Sequence, residues 1–389
     1  MRRSDLSHDR QACLVPTPEY PHVQAFLPPA TPRLIRVRGA AAQAITQAHE
    51  ALGALRQASA PLPNPDMITR TLARREAVNS SQIEGTQAGL DDLYAYECTG
   101  AGEPTHADAR ITHNYVTALD IGLAAVRGPS GRQALTVPLL QDMHRALMTG
   151  TDYADTPGSL RRRQNWIGAT TRIEDATFVP PPPAEVPHCL EELADSLLRY
   201  TPREEEMHSL SIVMQLAIAH AQFETIHPFR DGNGRIGRLL LPLMLAAEGY
   251  PPLYLSGYLH RHRRQYYDAL AGVQLRGEWS EWLEFLADAT AASCREAVAL
   301  TQDLLALQAQ WEALLGDLRV DAAARKLPAL LLGHPVTTAT EISTLLGISF
   351  PAANKALGIL VERGLLEAPA GKRNRLFVAR GIVERLQRL

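Results

Sequence analysis

Apolar positions recur at helical spacing along most of the chain. From Ala40 onward alanine, leucine and glutamine dominate, all good helix formers. Segments 108–127, 137–148, 186–200, 204–226 and 260–315 carry apolar residues three and four apart, the signature of a helix with one buried face. Ile68, Leu72 and Val78 mark a further helix, for which Asp66 is a suitable N-cap. The stretch Glu296 to Leu318 predicts one long amphipathic connector. Before Ala40, Pro16, Pro18, Pro21, Pro28, Pro29 and Pro32 forbid regular helix and predict an extended arm. One internal segment is also non-helical. Trp166, Ile167, Thr170, Thr171, Thr177, Phe178 and Val179 predict a β-hairpin or flap over 164–179, stopped by the run Pro180–Pro183.

The last seventy residues differ in pattern. Thr340 is positioned to cap a helix over Glu341–Leu346, Gly347 to turn the chain, and Pro351 to Gly364 to form a second helix. Leu365–Ala368, the loop Pro369–Asn374 and Arg375–Val378 then read as a basic two-stranded wing, giving a winged helix-turn-helix. Charge sharpens this division. The 389 residues carry 39 Lys+Arg against 42 Asp+Glu, a formal net charge of -3. From Asp321 onward, ten basic and five acidic residues give +5, which leaves -8 for the remainder. The average therefore excludes a uniformly basic nucleic-acid binder but not a small basic module.

A composition of 46% hydrophobic and 21% charged residues excludes disordered and fibrous classes. Cys13, Cys98, Cys189 and Cys294 are far apart and form no C-x-x-C pair, which argues against a disulfide framework or zinc cluster and fits a reducing cytoplasm. The start MRRSDLSHDRQ has no apolar leader core. The longest apolar stretch, Leu239 to Ala247, is interrupted by Pro242 and is far shorter than the ~20 residues that span a bilayer. No membrane association is expected.

The densest chemistry lies in HPFRDGNGRIGR, His227 to Arg238. A helix ending before Pro228 is followed by Gly232-Asn233-Gly234, two glycines that permit left-handed backbone angles, and then by a new helix. Backbone N–H groups at such a turn form an anion-binding nest, reinforced by the helix N-terminus. Arg235 and Arg238 share one helical face, and their guanidinium forks suit phosphate oxygens. Asp231 supplies a hard oxygen ligand suited to Mg²⁺, and His227 is a candidate general base.

This segment resembles the Fic-family motif HPFx(D/E)GNGRxxR without a departure. PGSLRRRQNWIG at Pro157–Gly168, FVPPPP at Phe178–Pro183 and AHAQFETIHPF before the loop are similar to the same family. The resemblance covers roughly residues 65–290. It implies a mainly α protein, with a Fic helical core, a β-hairpin flap and the appended winged helix. It also implies transfer of AMP from ATP to a Ser, Thr or Tyr hydroxyl of a protein. Under it, His227 is the general base and Asp231 holds Mg²⁺. The backbone of Gly232 to Gly234 with the Asn233 side chain holds the α- and β-phosphates. Arg235 contacts the β-phosphate and Arg238 the γ-phosphate. Tyr266 and Tyr267 resemble the adenine-side wall, although neighbours on a helix point apart and only one can face the base.

Ser80-Ser81-Gln82-Ile83-Glu84-Gly85 resembles the family's inhibitory motif (S/T)xxxE(G/N). The resemblance implies that Ser80 and Glu84 belong to an inhibitory element. Glu84 would pair with Arg238 and misplace the nucleotide; the plain alternative is a solvated helix end capped by Gly85. The chain is thus expected to comprise an arm (1–40), a helical region with the inhibitory motif (41–100), the catalytic core (101–295), a connector (296–320) and the winged helix (321–389). The expected activity is protein adenylyl transfer, on another protein or on itself. Two alternatives stay open, a winged-helix DNA-binding regulator with a nucleotide-sensing Fic domain and an enzyme that removes AMP with Glu84 orienting water. The tail reads equally as a DNA contact through Asn354, Lys355, Lys372, Arg373 and Arg375 or as a surface for protein contact, including a homodimer.

Overall fold

Caps, glycines and prolines set most of the element boundaries. The computed structural model describes all residues except 61–64, 101–106, 152–156, 169, 205, 207, 208, 368–374 and 389. In chain order its elements begin with α1 (His8–Gln11), β1 (Leu14–Pro16), β2 (Gln24–Phe26), α2 (Gly39–Ser59), α3 (Pro65–Ile83), α4 (Leu90–Thr99), α5 (Ala107–Arg127), α6 (Val137–Met148) and α7 (Val186–Leu193). They continue with α8 (Ile212–Ile226), α9 (Asn233–Ala247), α10 (Ser256–Arg261), α11 (Arg263–Ala271), α12 (Trp279–Leu314), α13 (Ala323–Leu331), β3 (Val336–Thr337), α14 (Ala339–Leu346), α15 (Phe350–Glu362), β4 (Phe377–Val378) and α16 (Arg380–Gln387). The fold is mainly α, as the spacing predicts. Two compact units emerge that are discontinuous in sequence, one of Met1–Ala54 with Thr117–Cys294 and one of Leu55–Val116 with Arg295–Leu389. Among the described residues no single helix is long and apolar enough to cross a membrane.

The first unit is built on α8 and α9. Every residue of α8 from Val213 to Ile226 is buried, so this helix is enclosed all round rather than amphipathic. Ser211 caps it by accepting the Met214 N–H. Helix α6 starts on Thr136, which accepts the Leu139 N–H, and buries Leu140, Met143, His144 and Leu147 on one stripe. Trp282 is fully enclosed, and its indole N–H donates to the Ala217 carbonyl at 2.8 Å.

The N-terminal arm is less extended than its prolines suggest. It folds back as the antiparallel pair β1–β2, with Leu14 opposite Phe26, because Thr17 Oγ1 donates to the carbonyls of Tyr20 and Val23 and closes the intervening loop. Phe26 packs on Phe178, ring centroids 5.5 Å apart, and its N–H donates to the Val179 carbonyl. The predicted flap closes on a single bridge, Ile167 with Phe178. A longer ladder is prevented because Ile173 and Ala176 turn inward on a 3-10 turn and are buried there. The connector predicted from Glu296 is the second half of the much longer helix α12.

In the second unit, α3 joins the C-terminal segment through backbone acceptors. Arg70 Nε donates to the Gly333 carbonyl at 3.1 Å and the Thr71 hydroxyl to that of Leu332. Pro65 opens α3, so Asp66 lies in the first turn and is not the cap; proline suits that position because no helical acceptor awaits its missing N–H. Thr338, not Thr340, caps α14 by accepting the Glu341 N–H, and Gly347 at φ +63° turns the chain into α15, which Ser349 caps. The two helices meet at 112°. Strand β3, which precedes α14, pairs antiparallel with β4, which follows α15, so the sheet flanks the helix-turn-helix; of the two predicted wing strands, 365–368 and 375–378, only Glu367 and Val378 bridge. The predicted wing loop with Lys372 and Arg373 lies outside the described residues. On α15 the exposed positions are Phe350, Pro351, Ala352, Lys355 and Glu362, and Arg363 just beyond is held by both oxygens of Asp317 at 2.6 and 2.7 Å. This leaves little basic surface on the predicted reading helix.

Arg74 and Glu97 form a buried ion pair in this unit: Arg74 Nε donates to Oε2 at 3.0 Å and Nη2 lies 3.0 Å from Oε1, with His113 Nδ1 3.5 Å from the same oxygen. Burial pushes the Glu97 pKa up, but the His113 hydrogen bond and the Arg74 guanidinium overcome it and bring it down to about 2. A folded-state value below the unfolded one stabilises the fold at neutral pH, and the effect is lost as pH falls from about 4.5 toward 2. Glu97→Gln is therefore expected to cost about 3 kcal/mol at pH 7. Unfolding of the full chain across pH 7 to 3 should show the gap to wild type narrowing below pH 4.5. A pH-independent gap would refute the assignment.

Candidate active site

The segment His227–Arg238 is the turn between α8 and α9 with the first turns of α9. His227 is the C-cap of α8 at φ 48°, ψ 61°, and among the described residues it is the only non-glycine with positive φ. Gly232, the N-cap of α9, is also left-handed at φ 75°. A Cβ there would press on Met148 Sδ at 3.1 Å and Leu147 at 3.3 Å, so glycine is required on both counts. Gly234, expected to share the left-handed turn, is already inside α9. The nest is therefore the left-handed Gly232 running into the first turn of α9, whose leading N–H groups have no acceptor within their own helix.

Asn233 builds the turn rather than facing outward. Its Oδ1 accepts the Phe229 N–H at 2.8 Å and its Nδ2 donates to the Phe229 carbonyl at 2.9 Å, with the residue 2% exposed. Its side chain is thereby committed to the loop backbone, which leaves anion binding to main-chain groups and the arginines. Arg235 and Arg238 are both buried on α9. Arg235 Nη2 lies 3.4 Å from Asp231 Oδ2, and that carboxylate is the more exposed partner at 43%. Asp231 therefore sits at the mouth of the site, next to the nest.

Three residues outside the motif hold this turn. Arg161 is buried, and it donates from Nε to the His227 carbonyl at 2.9 Å and from Nη2 to those of Pro181 and Ile226. It thus satisfies carbonyls that the end of α8 leaves open. Burial pushes its pKa down to about 10, which keeps it charged. Asn165 Nδ2 donates to the Phe229 carbonyl at 3.1 Å. His144 on α6 accepts the Gly158 N–H on Nδ1 at 2.8 Å, which leaves Nε2 as the protonated nitrogen donating to the Asp231 carbonyl at 3.0 Å. It stacks on Phe229 at 3.9 Å, and burial pushes its pKa down to about 4. Arg161 and Asn165 fall in the PGSLRRRQNWIG segment, but their roles as carbonyl donors have no sequence signal. His144 has none beyond a helical position.

Glu224, one turn before His227, was also not foreseen. Its side chain is 7% exposed and its Oε2 lies 3.7 Å from His227 Nδ1. Of the two tyrosines expected at the nucleotide, Tyr266 is buried; its hydroxyl meets His220 Nε2 at 2.8 Å and its ring lies 6.0 Å from Trp282. Tyr267 is exposed, with the Arg263 guanidinium 5.7 Å over its ring. In the other unit, Ser80 is buried within α3, and Glu84 is exposed just past the end of that helix, followed by left-handed Gly85. Among the described residues no group of three or more His, Cys, Asp or Glu gathers to hold a metal ion.

Known proteins match this arrangement. Residues 42–124 match the Fic/DOC family N-terminal model and residues 134–245 the Fic/DOC family model. "Protein adenylyltransferase Fic" of Culex quinquefasciatus is 29% identical over 180 residues, 46% of this chain and 32% of that protein. The protein of the same name from Drosophila grimshawi is 28% identical over 193 residues, 49% of this chain and 36% of that one. The chain thus spans about a third of the length of these relatives. A Fic family protein from Desulfovibrio desulfuricans G20 shares the fold with a TM-score of 0.55 at 20% identity, covering 90% of this chain and 98% of that one. Fic-1 from C. elegans gives a TM-score of 0.51 at 23% identity over 67% and 73%. With the two family models together spanning half of its length and the His227–Arg238 turn built as described, the chain belongs to the Fic/DOC family.

Proposed function

We propose that the protein transfers AMP from ATP to a hydroxyl side chain of a protein, itself included. The observation that carries this reading is the α8–α9 turn, where His227, the left-handed Gly232 and the buried Arg235 and Arg238 fall within twelve residues. The N–H groups opening α9 and the two guanidinium groups neutralise and orient the polyphosphate, which is most of what phosphoryl-type transfer requires. The target oxygen attacks the α-phosphorus, the bond to the pyrophosphate oxygen breaks, and the hydroxyl proton passes to His227. The name of the relatives, protein adenylyltransferase Fic, supports adenylyl transfer.

Mg²⁺ fits the donor set as a shared ion. Asp231 offers one half-exposed carboxylate beside the nest, and a hard cation held by one carboxylate completes its shell with phosphate oxygens and water. Bound there, it would supply charge neutralisation for the polyphosphate. Glu84 is proposed to restrain the reaction, on the strength of the SSQIEG motif and of a carboxylate's ability to compete with a terminal phosphate for an arginine. The four cysteines are free, in keeping with a reducing compartment such as the cytoplasm.

Two outcomes are expected. With α-labelled ATP and Mg²⁺, the wild-type protein labels itself weakly, Glu84→Gly labels itself and added extract proteins more strongly, and His227→Ala falls by roughly 10²–10⁴-fold. Absence of label in Glu84→Gly across divalent metals and candidate targets would end the adenylyl-transfer reading. Gly232→Ala places a side chain in left-handed backbone against Met148 and Leu147. It should cost about 1–2 kcal/mol in thermal unfolding and raise the KM for ATP; an unchanged KM would remove Gly232 from the phosphate nest.

A further inference from the structure

Glu224 and His227 lie one helical turn apart at the end of α8; the Glu224 carboxylate enters the crevice where α9 packs at Gly237, and His227 Nδ1 faces it. His227 Nδ1 is enclosed and, among the described residues, has no hydrogen-bond partner; the same holds for Glu224 Oε1. The facing atoms Nδ1 and Oε2 are 3.7 Å apart, an ion-pair distance slightly too long for a hydrogen bond. Catalytic hydrogen bonds are often long until the substrate is in place. With Nδ1 buried and the side chain 20% exposed, the nitrogen on the open edge of the ring is Nε2.

Gly237 makes room for this carboxylate. A Cβ at that position would collide with Glu224 Oε1 and come within 3.3 Å of Phe223 and His220. The glycine is one of the unspecified positions of the HPFx(D/E)GNGRxxR pattern, so its role emerges only from the packing of α9 on α8. Burial pushes the Glu224 carboxyl pKa up, but the neighbouring His227 and His220 imidazoles and the Arg238 guanidinium outweigh it and bring the pKa below its ordinary value. The side chain is thus an anion held beside Nδ1 of the histidine.

We propose that Glu224 is the positioning residue of His227: its carboxylate takes the Nδ1–H, fixes the ring with Nε2 bare, and offsets the positive charge that appears when Nε2 accepts the target's hydroxyl proton. This rests on His227 acting as base in the reading above. The proton moves from the target oxygen to Nε2, the Nδ1–H stays in place, and Glu224 remains ionised throughout. A residue that only neutralised Arg238 would have no influence on the histidine tautomer, and that difference is measurable.

The test uses the full chain labelled with ¹⁵N-histidine, the His227 signals being those lost in His227→Gln. In the wild type His227 should appear protonated on Nδ1 with bare Nε2; in Glu224→Ala it should shift toward protonation on Nε2. In the Glu84→Gly background, Glu224→Ala should lower kcat by roughly 10–100-fold, the range for residues that orient a functional histidine. KM for ATP should stay within about twofold, since the interaction is made in the reaction step. Glu224→Gln, which keeps an acceptor oxygen, should retain the Nδ1–H tautomer and lose less. Gly237→Ala, which displaces the carboxylate without removing it, should move tautomer and kcat in the same direction as Glu224→Ala. An unchanged His227 tautomer in Glu224→Ala overturns the proposal, as does a rise in KM at constant kcat. If Glu84→Gly transfers no AMP at all, the catalytic reading falls, while the tautomer result still decides the positioning role.

Discussion

The α8–α9 turn depends on side chains that capture its backbone groups. Six residues of irregular chain, 227–232, must leave one buried helix and enter another, and each unpaired buried N–H or C=O would cost free energy comparable to a lost hydrogen bond. Arg161 takes the carbonyls of Ile226 and His227, Asn165 that of Phe229, and His144 that of Asp231. Asn233 takes both the N–H and the carbonyl of Phe229. With these groups fixed, the chain has little freedom left between Ile226 and Asn233. That explains why His227, an L-residue, is held in left-handed backbone at a cost of about 1–2 kcal/mol. The surroundings over-determine it.

The same economy explains what was legible beforehand. His227, Asp231, Arg235 and Arg238 could be read because the turn concentrates their chemistry in twelve consecutive residues, and local spacing is what a sequence displays. Helices α6 and α8 are equally visible as apolar periodicity in 137–148 and 204–226, and α9 as the helix that follows the glycine turn. Two glycines around an asparagine look symmetric in the sequence, whereas only Gly232 takes the left-handed turn and Gly234 is helical. Thr338 rather than Thr340 caps α14 because it stands three before Glu341, the spacing of a capping box. His144 and Arg161 lie about sixty to ninety residues upstream of the groups they bond. No periodicity links positions that far apart, so their roles exist only once the chain has folded. The discontinuous units are hidden for the same reason: Arg70 and Thr71 meet the carbonyls of Gly333 and Leu332 across more than 260 residues.

Buried charge is handled differently in the two units. Arg74 and Glu97 neutralise one another directly, two guanidinium nitrogens on one carboxylate, and removal of either would strand the other. Arg161 instead donates to carbonyl oxygens, those of Ile226 and His227 at the negative end of α8 and that of Pro181. A helix C-terminus carries partial negative charge, so the arrangement satisfies hydrogen bonding and electrostatics together. The consequence is functional geometry. The guanidinium that stabilises the helix end is also the clamp on the backbone of the candidate base.

An anion-binding turn with two buried arginines and a helix N-terminus would, by itself, oppose any step that places a further positive charge nearby. Protonation of His227 is such a step. Coulomb energy between close charges in a buried setting is several kcal/mol even after strong screening, enough to set the rate of proton transfer. A carboxylate beside Nδ1 lowers that opposition without competing for the phosphate, provided it is kept out of the nest. Glu224 meets this condition by lying between α8 and α9, on the side where Gly237 leaves space, rather than at the mouth where Asp231 stands. The two acids are thus separated by the same turn that separates their tasks, one facing the histidine from within the core and one facing the solvent beside the nest.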